Sequence, residues 1–332
     1  MKLNTANRSF FALVATALVA YGLLGLFGCG VLSLVVYRLG TEGWAGLTRD
    51  GQDLRPAVAF FAVVAVGAVI GGRSAYRQVA ATRTLAADVT ARTVPATTAV
   101  DRAARHAGLV GRVDLLDDVE PYSFTYGLAA PRVAVSTGLV DAVGIDELEA
   151  VLHHERYHVR SADTIKCVVA RAAPSAFFFL PALGHLRDRY LGGRELAADR
   201  AAMAETGGTA LAGALCKVLD SPTWTDLSSA AALGGGVLEH RVEQLEGGTE
   251  PPLPGVPRRA LLLTVAALGA LAGLFALTIA RAGTDMMAMD GSMPNAGGGV
   301  VLTVAGTLAC TAAMGALVVI ALGSGRGHRP TG

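Results

Sequence analysis

Charged side chains are scarce in this sequence. Asp, Glu, Lys and Arg make up 17% of its 332 residues, while hydrophobic residues make up 52%. Soluble domains carry about a quarter charged residues, so this composition predicts a membrane protein. The formal net charge is +1 and no long basic tract is present, which argues against direct contact with nucleic acid.

Cysteine is also scarce, and its four copies are far apart, at Cys29, Cys167, Cys216 and Cys310. They form no Cys-x-x-Cys pair, so a disulfide framework is not expected. Each lies in apolar or helical-looking sequence, which predicts small buried hydrophobic side chains.

The sequence contains several long apolar runs. Four of them are expected to span a bilayer, at about residues 10–37, 57–72, 260–280 and 300–323. Basic residues cluster before the first and third runs and after the second and fourth, at Lys2, Arg8, Arg73, Arg77, Arg83, Arg92, Arg258, Arg259, Arg326 and Arg329. By the positive-inside rule, both termini and the segment between the second and third runs are cytoplasmic. We therefore expect an N-terminal membrane hairpin over 1–72, a cytoplasmic domain over 73–258, and a C-terminal membrane hairpin with a short tail over 259–332.

A helix is predicted to follow Gly144. Asp146 is expected to cap it, with Glu149 at its third position. Leu148 and Val151 then begin an apolar stripe at helical spacing.

Three histidines and a glutamate crowd into this helix, in the stretch AVLHHERYHVRS. His154 and His158 are four residues apart and project from one face, while His153 is rotated by about 100° from His154. The unit His154-Glu155-x-x-His158 is typical of a zinc site, in which two imidazoles bind the metal and the glutamate takes a proton from water. A solvated helix face with satisfied histidines is the alternative interpretation.

A third ligand is predicted in GGRELAADRAA, 37 residues after His158. Glu195 is the candidate ligand. Asp199 lies one helical turn later and is expected to accept the other ring N–H of a ligating histidine. By analogy with other zinc enzymes of this plan, His154 is the preferred histidine. An ordinary surface Glu and Asp is the alternative, but the combination with the histidine motif favours a zinc site.

A fifth apolar stretch, 167–186, is expected not to cross the membrane. His158 and Glu195 must meet at one zinc, and only 36 residues separate them, whereas two full spans need about 40. We expect a buried or interfacial helix, bent near Pro174 and Pro181.

With these residues in view, the segments 122–163 and 177–202 resemble the membrane zinc peptidases of the antibiotic-sensor type (BlaR/MecR), and also the related HtpX-like and CAAX-type membrane proteases. The resemblance covers roughly residues 109–246. It implies a polytopic α-helical membrane protein, with about four transmembrane helices and a mainly α, small-sheet zinc peptidase domain of the gluzincin type.

The resemblance also implies roles for particular residues. His154, His158 and Glu195 would bind Zn²⁺, with Glu155 as the catalytic base and Asp199 behind a histidine ligand. Two further residues, Arg241 and Tyr126, are candidates for contact with the transition state or the substrate, although a structural salt bridge is an equal alternative for Arg241. The segments 123–127 and 132–140 would form strands, and an exposed edge there could add a substrate peptide as an extra strand.

The function implied is that of a membrane zinc endopeptidase that cuts a protein, with a DNA-binding transcriptional repressor as the substrate that the sensor family suggests. Nine residues follow the fourth run, which leaves no room for the extracellular penicillin-binding domain of the antibiotic sensors, so β-lactam sensing is not expected. Two alternatives stay open. One is a signalling or scaffold membrane protein that keeps the zinc fold without cutting, and the other is a membrane quality-control protease.

Overall fold

The computed structural model describes residues 4–48, 54–219 and 236–288. Ten helices are present in these ranges: α1 (Thr5–Thr48), α2 (Leu54–Arg92), α3 (Thr98–His106), α4 (Thr137–Ala142), α5 (Ile145–Ser161), α6 (Asp163–Ala176), α7 (Pro181–Thr206), α8 (Gly208–Leu219), α9 (Gly236–Gly247) and α10 (Arg258–Ala288).

Four short strands form one mixed sheet in the order β1-β2-β4-β3. They are β1 (Thr93–Val94), β2 (Val113–Leu116), β3 (Ser123–Tyr126) and β4 (Arg132–Ser136). The central strands β2 and β4 are parallel, while β3 runs antiparallel to β4 and occupies one edge. The strands predicted at 123–127 and 132–140 are present, although α4 begins at Thr137 because the Ser136 side chain caps its first turn through the Leu139 N–H.

The chain divides into two compact units. The first contains residues up to Leu13, Arg73–Ala172 and Gly184–Val256, and the second contains Val14–Gly72, Ala173–Leu183 and the chain from Pro257 onward.

The first unit has a core between its sheet and the helices α3, α5 and α8. Leu115, Val133 and Val135 from the strands pack there with Leu148 and Leu152 from α5. Burying an aliphatic side chain of this size contributes about 1.5–3 kcal/mol relative to an exposed one. The core therefore fixes α5 against the sheet.

The helix α5 begins at Ile145, earlier than the predicted cap at Asp146. Gly144 is the cap residue, and its N–H donates to the Glu147 carboxylate over 2.7 Å. The prediction with Asp146 and Glu149 was wrong because Glu147, at the third helical position, supplies the acceptor. The helix ends at Ser161, and Ala162, its cap, takes the left-handed conformation with φ of 53°.

Three helices of the described ranges are long and apolar enough to cross a membrane: Thr5–Gly40, Val58–Arg92 and Arg258–Leu277. The predicted fourth run, 300–323, lies outside the described residues. The fifth apolar stretch is not among the candidate spans. It is divided between α6, which contains Pro174, and α7, which begins at Pro181.

The described cysteines are less buried than the sequence predicted. Cys216 is exposed on α8, and Cys29 and Cys167 are partly buried. Cys310 lies outside the described residues.

Candidate metal centre

Two histidines of α5 and one glutamate of α7 converge in the first unit. Ligand atoms of His154, His158 and Glu195 all lie within 4.8 Å of one another, and all three side chains are buried. Glu195 Oε2 lies 3.5 Å from His154 Nε2 and 3.8 Å from His158 Nε2, and the two Nε2 atoms are 3.2 Å apart. The helical spacing predicted this pairing of histidines, and Glu195, the predicted third ligand, comes from a helix that begins 23 residues after His158.

Each imidazole has a carboxylate at its other nitrogen. Asp199 Oδ1 lies 2.7 Å from His154 Nδ1, which is the histidine that the sequence analysis assigned to it. Asp163 Oδ2 lies 2.7 Å from His158 Nδ1. A carboxylate at Nδ1 holds the proton there and directs the Nε2 lone pair toward a metal. With two imidazoles and one carboxylate converging in a buried site, the donor set fits zinc.

Sequence reasoning missed Asp163. It is the first residue of α6 and lies just past the left-handed turn at Ala162, which brings the chain back toward His158. Tyr190 of α7 donates its hydroxyl to the other Asp163 oxygen over 2.9 Å. An acidic residue directly after a helix of histidine ligands is the only signal that the sequence offered.

Arg241 of α9 pairs with a carboxylate. Its Nε donates to Asp199 Oδ2 over 2.7 Å, and its terminal nitrogen donates to Oδ1 over 2.9 Å. Burial alone would raise the pKa of Asp199, but the Arg241 guanidinium and the His154 ring outweigh it and hold this pKa below its ordinary value. Arg241 therefore lies behind Asp199, and of the two roles considered for it the structure shows the salt bridge.

Glu195 is held ionised by its neighbours. Burial alone would raise its pKa, but Arg194 and His158 lower it well below the ordinary value. The Arg194 guanidinium lies 3.0 Å from Glu195 Oε1. This contact leaves Oε2 as the oxygen nearest the histidines, and an ionised carboxylate is the form that binds a metal.

Glu155 lies on α5 next to His154 and contacts the edge strand. Ser123 Oγ donates to Glu155 Oε1 over 3.0 Å, and Thr125 Oγ1 donates to Oε2 over 2.7 Å. Glu155 is 5% exposed, so these two hydroxyls fix a carboxylate that is largely shielded from solvent. The sequence predicted the strand but not these contacts.

Tyr126 lies on the opposite face of β3 from Thr125, because neighbouring strand residues alternate in direction. Its hydroxyl donates to Asp114 Oδ2 over 2.6 Å, and its ring is buried with Tyr122 and Leu116. The structure therefore does not bring Tyr126 to Glu155.

Comparison with known proteins finds related sequences around this centre. Residues 91–219 match the family model of Peptidase family M48. The chain is 37% identical to Protease HtpX of Thioalkalivibrio sulfidiphilus over 95 residues, which are 27% of this chain and 32% of that protein. It is 32% identical to Protease HtpX of Nitrosococcus oceani over 174 residues, 48% of this chain and 57% of that protein. A Protease HtpX homolog of Chlorobium phaeobacteroides is 29% identical over 189 residues, 53% of this chain and 60% of that protein.

The chain spans less than two thirds of the length of these relatives. The matched region contains α5 to α8 and the sheet, and therefore all three candidate ligands and Glu155. The match supports the zinc peptidase resemblance without favouring the antibiotic-sensor type. The part of this chain that is similar to peptidase family M48 is the helical, small-sheet segment 91–219, which contains the candidate metal group of His154, His158 and Glu195.

Proposed function

We propose that this protein is a membrane zinc endopeptidase that cuts protein substrates. The observation that carries the proposal is the position of Glu155. The residue follows the ligand His154 directly on α5, and two hydroxyls of an edge strand hold its carboxylate. Such a group is suited to acid–base work beside a metal, and a site that only bound zinc would not require it.

Bound zinc would polarise the scissile carbonyl and lower the pKa of the attacking water. Glu155 would accept the proton of that water at a carboxylate oxygen and later deliver it to the leaving amine. Ser123 and Thr125 would orient the carboxylate during both transfers. Asp199 and Asp163 would hold His154 and His158 in the tautomer that leaves Nε2 for the metal.

The strand β3 is suited to bind the substrate. It occupies the edge of the sheet, and its side chains at Ser123 and Thr125 already contact Glu155. An edge strand presents backbone N–H and C=O groups that can pair with an extended peptide. A peptide added there would run beside the catalytic glutamate, so the scissile bond would lie close to it.

We further propose that the active-site domain and both termini are cytoplasmic and that the protein crosses the membrane several times. The support is the clustering of arginines after the second apolar run and before the third. The proposal that the substrate is a transcriptional repressor is supported only by the resemblance to the sensor peptidases. The relatives found by comparison carry the name Protease HtpX.

The test compares Glu155→Gln with wild-type protein, purified full-length in detergent and loaded with zinc. Cleavage of casein, an unstructured protein, should fall by at least about 10²-fold because the variant cannot accept a proton. Zinc content should stay the same, since Glu155 is not one of the three ligands. Glu149→Gln is the matched control, because Glu149 lies on the same helix and pairs with His106 instead.

Detectable cleavage that is equal in wild type and Glu155→Gln would contradict the peptidase proposal. Zinc retention without cleavage of either casein or a co-expressed repressor would favour the scaffold alternative. A regulatory protease would leave casein largely intact and cut a co-expressed repressor at one or two sites. Cleavage of many unrelated membrane proteins would instead support a quality-control protease.

A further inference from the structure

The first turns of α1 belong to the first unit, although the sequence places them at the start of a membrane span. The chain as far as Leu13 clusters with the first unit. Ala6, Phe10 and Leu13 are almost fully buried and recur at helical spacing, so they form one face. Phe11, on the opposite face, is 49% exposed. Residues 4–13 are called the N-terminal segment below.

The buried face of the N-terminal segment contacts all three helices around the metal group. The Asn4 amide donates to the Tyr157 hydroxyl of α5 over 2.5 Å. Lys166 of α6 donates to the Asn7 side-chain oxygen over 3.0 Å, and its ammonium lies 5.6 Å from the centre of the Phe10 ring.

On α7, the contact is aromatic. The Phe10 and Tyr190 rings are 5.2 Å apart between centroids, a distance at which aromatic pairs attract. Tyr190 is fully buried. Its ring orientation is therefore set by its neighbours, and Phe10 is one of them.

Tyr190 is connected to the candidate metal ligand His158 through one residue, Asp163. Its hydroxyl donates to Asp163 Oδ1 over 2.9 Å, and Asp163 Oδ2 lies 2.7 Å from His158 Nδ1. Three contacts thus connect Phe10 to His158. A shift of the Tyr190 ring would move the hydroxyl that fixes Asp163, and with it the carboxylate that orients the imidazole.

The backbone of the segment also approaches α7 closely, at Gly193. A Cβ added to Gly193 would lie 3.1 Å from the backbone nitrogen of Ala6 and 3.2 Å from its Cα. Glycine is therefore what allows this packing, two residues before the ligand Glu195. The segment thus touches the chain on both sides of the site, near His158 and near Glu195.

We propose that the N-terminal segment is a positioning element of the metal centre, with Phe10 holding Tyr190 so that Asp163 orients His158. The proposal rests on the zinc centre of the proposed function but not on peptide cleavage. Without the segment, the three helices remain connected by the chain, but the contacts that fix His158 from behind are lost. Metal affinity therefore depends on Phe10, which lies 148 positions before the ligand His158 in the sequence.

The test measures zinc affinity by chelator competition, together with the visible spectrum of the Co²⁺-substituted protein, in full-length chain in detergent. Phe10→Ala should weaken zinc binding by about tenfold, the lower end of the range for groups behind a metal-binding histidine. Its cobalt bands should shift, because one imidazole is no longer held. Arg8→Ala is the control, because Arg8 is exposed on the same segment and lies outside the contacts that lead to His158, and it should keep both properties.

Two further variants separate positioning from folding. Tyr190→Phe keeps the ring and removes only the hydroxyl, so it should lower zinc affinity and shift the cobalt bands in a protein that still folds, as its cooperative thermal unfolding would show. Phe10→Leu restores bulk and should recover part of the affinity. If Phe10→Ala fails to fold, Tyr190→Phe decides: wild-type affinity and an unchanged cobalt spectrum would overturn the proposal.

Failure of this inference is distinguishable from failure of the proposed function. If wild type binds zinc and Phe10→Ala binds it equally well, only the positioning role is lost. If wild type binds neither zinc nor cobalt, the metal centre itself is refuted, and both proposals end with it.

Discussion

At the scale of single residues, each imidazole of the metal group has its own carboxylate, and each carboxylate has its own donor. Asp199 is held by Arg241, and Asp163 is held by Tyr190. The two arrangements differ in charge, because one donor is a guanidinium and the other a neutral phenol. The His154 side is thus stabilised by an ion pair, while the His158 side depends on packing that keeps the phenol in place.

Asp163→Asn should lower zinc affinity by about 10- to 100-fold, because the variant orients His158 less strongly and adds no negative charge behind it. The measurement is competition with a chelator of known affinity. Asp146→Asn, the same change at an exposed position on α5, should bind zinc like wild type. An Asp163→Asn protein with undiminished affinity would show that Asp163 does not orient the ligand.

Asp114 ties the sheet together through a bidentate ion pair. Arg132 donates to both its oxygens over 2.6–2.7 Å, and Tyr126 donates to one of them. Burial alone would raise the pKa of Asp114, but these hydrogen bonds outweigh it and lower the pKa below its ordinary 3.8. The stabilisation is therefore present above about pH 3.8 and is lost as the pH falls through the lower folded-state pKa.

Asp114→Asn should cost about 1–2 kcal/mol at pH 7, a figure reduced for solvent because the Arg132 side chain is 40% exposed. The difference from wild type should shrink as the pH falls below about 3.8. Denaturant unfolding in detergent at pH 7, 5 and 3 measures this difference in the free energy of unfolding. Asp117→Asn, at an exposed neighbouring position, is the control, and a difference at pH 3 as large as that at pH 7 would refute the ionic role.

At the scale of elements, helical spacing was enough to predict which histidines share a face, because the four-residue repeat is a property of the helix itself. The same holds for Glu195 and Asp199 on α7. Spacing could not predict that Ser123 and Thr125 would contact Glu155, since those residues meet through the packing of a strand against a helix. The Asp163 contact depends on the left-handed turn at Ala162, which sequence patterns rarely reveal outside glycine.

The start of α5 is a second feature that the sequence pattern alone did not predict correctly. Two acidic residues, Asp146 and Glu147, follow Gly144, and either could have been drawn into the cap. The longer Glu147 side chain reaches back to the Gly144 N–H, while Lys217 of α8 pairs with the same carboxylate. The Glu147 carboxylate thus makes a tertiary contact with Lys217 as well as the cap. The local sequence alone did not decide between Asp146 and Glu147 as the capping residue.

At the scale of the whole molecule, three described helices have the length and composition of membrane spans, and the side of the membrane on which the first unit lies is a proposal. Cys216 offers a direct test because its side chain is exposed on α8 in that unit. A membrane-impermeant maleimide should label it in inside-out vesicles and leave it unlabelled in right-side-out vesicles. Loss of labelling in Cys216→Ser would show that the label is on Cys216. Labelling only in right-side-out vesicles would mean that the first unit lies outside, opposite to the proposed orientation.

The pairing of Arg241 with Asp199 also has a consequence for biosynthesis. The ligands are complete in the growing chain once Glu195 has been made, but the guanidinium behind Asp199 is added only 42 residues after that aspartate. The ribosome must therefore release α9 before the His154 side of the site reaches its final form. A nascent chain that already carries all three ligands still lacks its last charged support, so the centre matures late in synthesis.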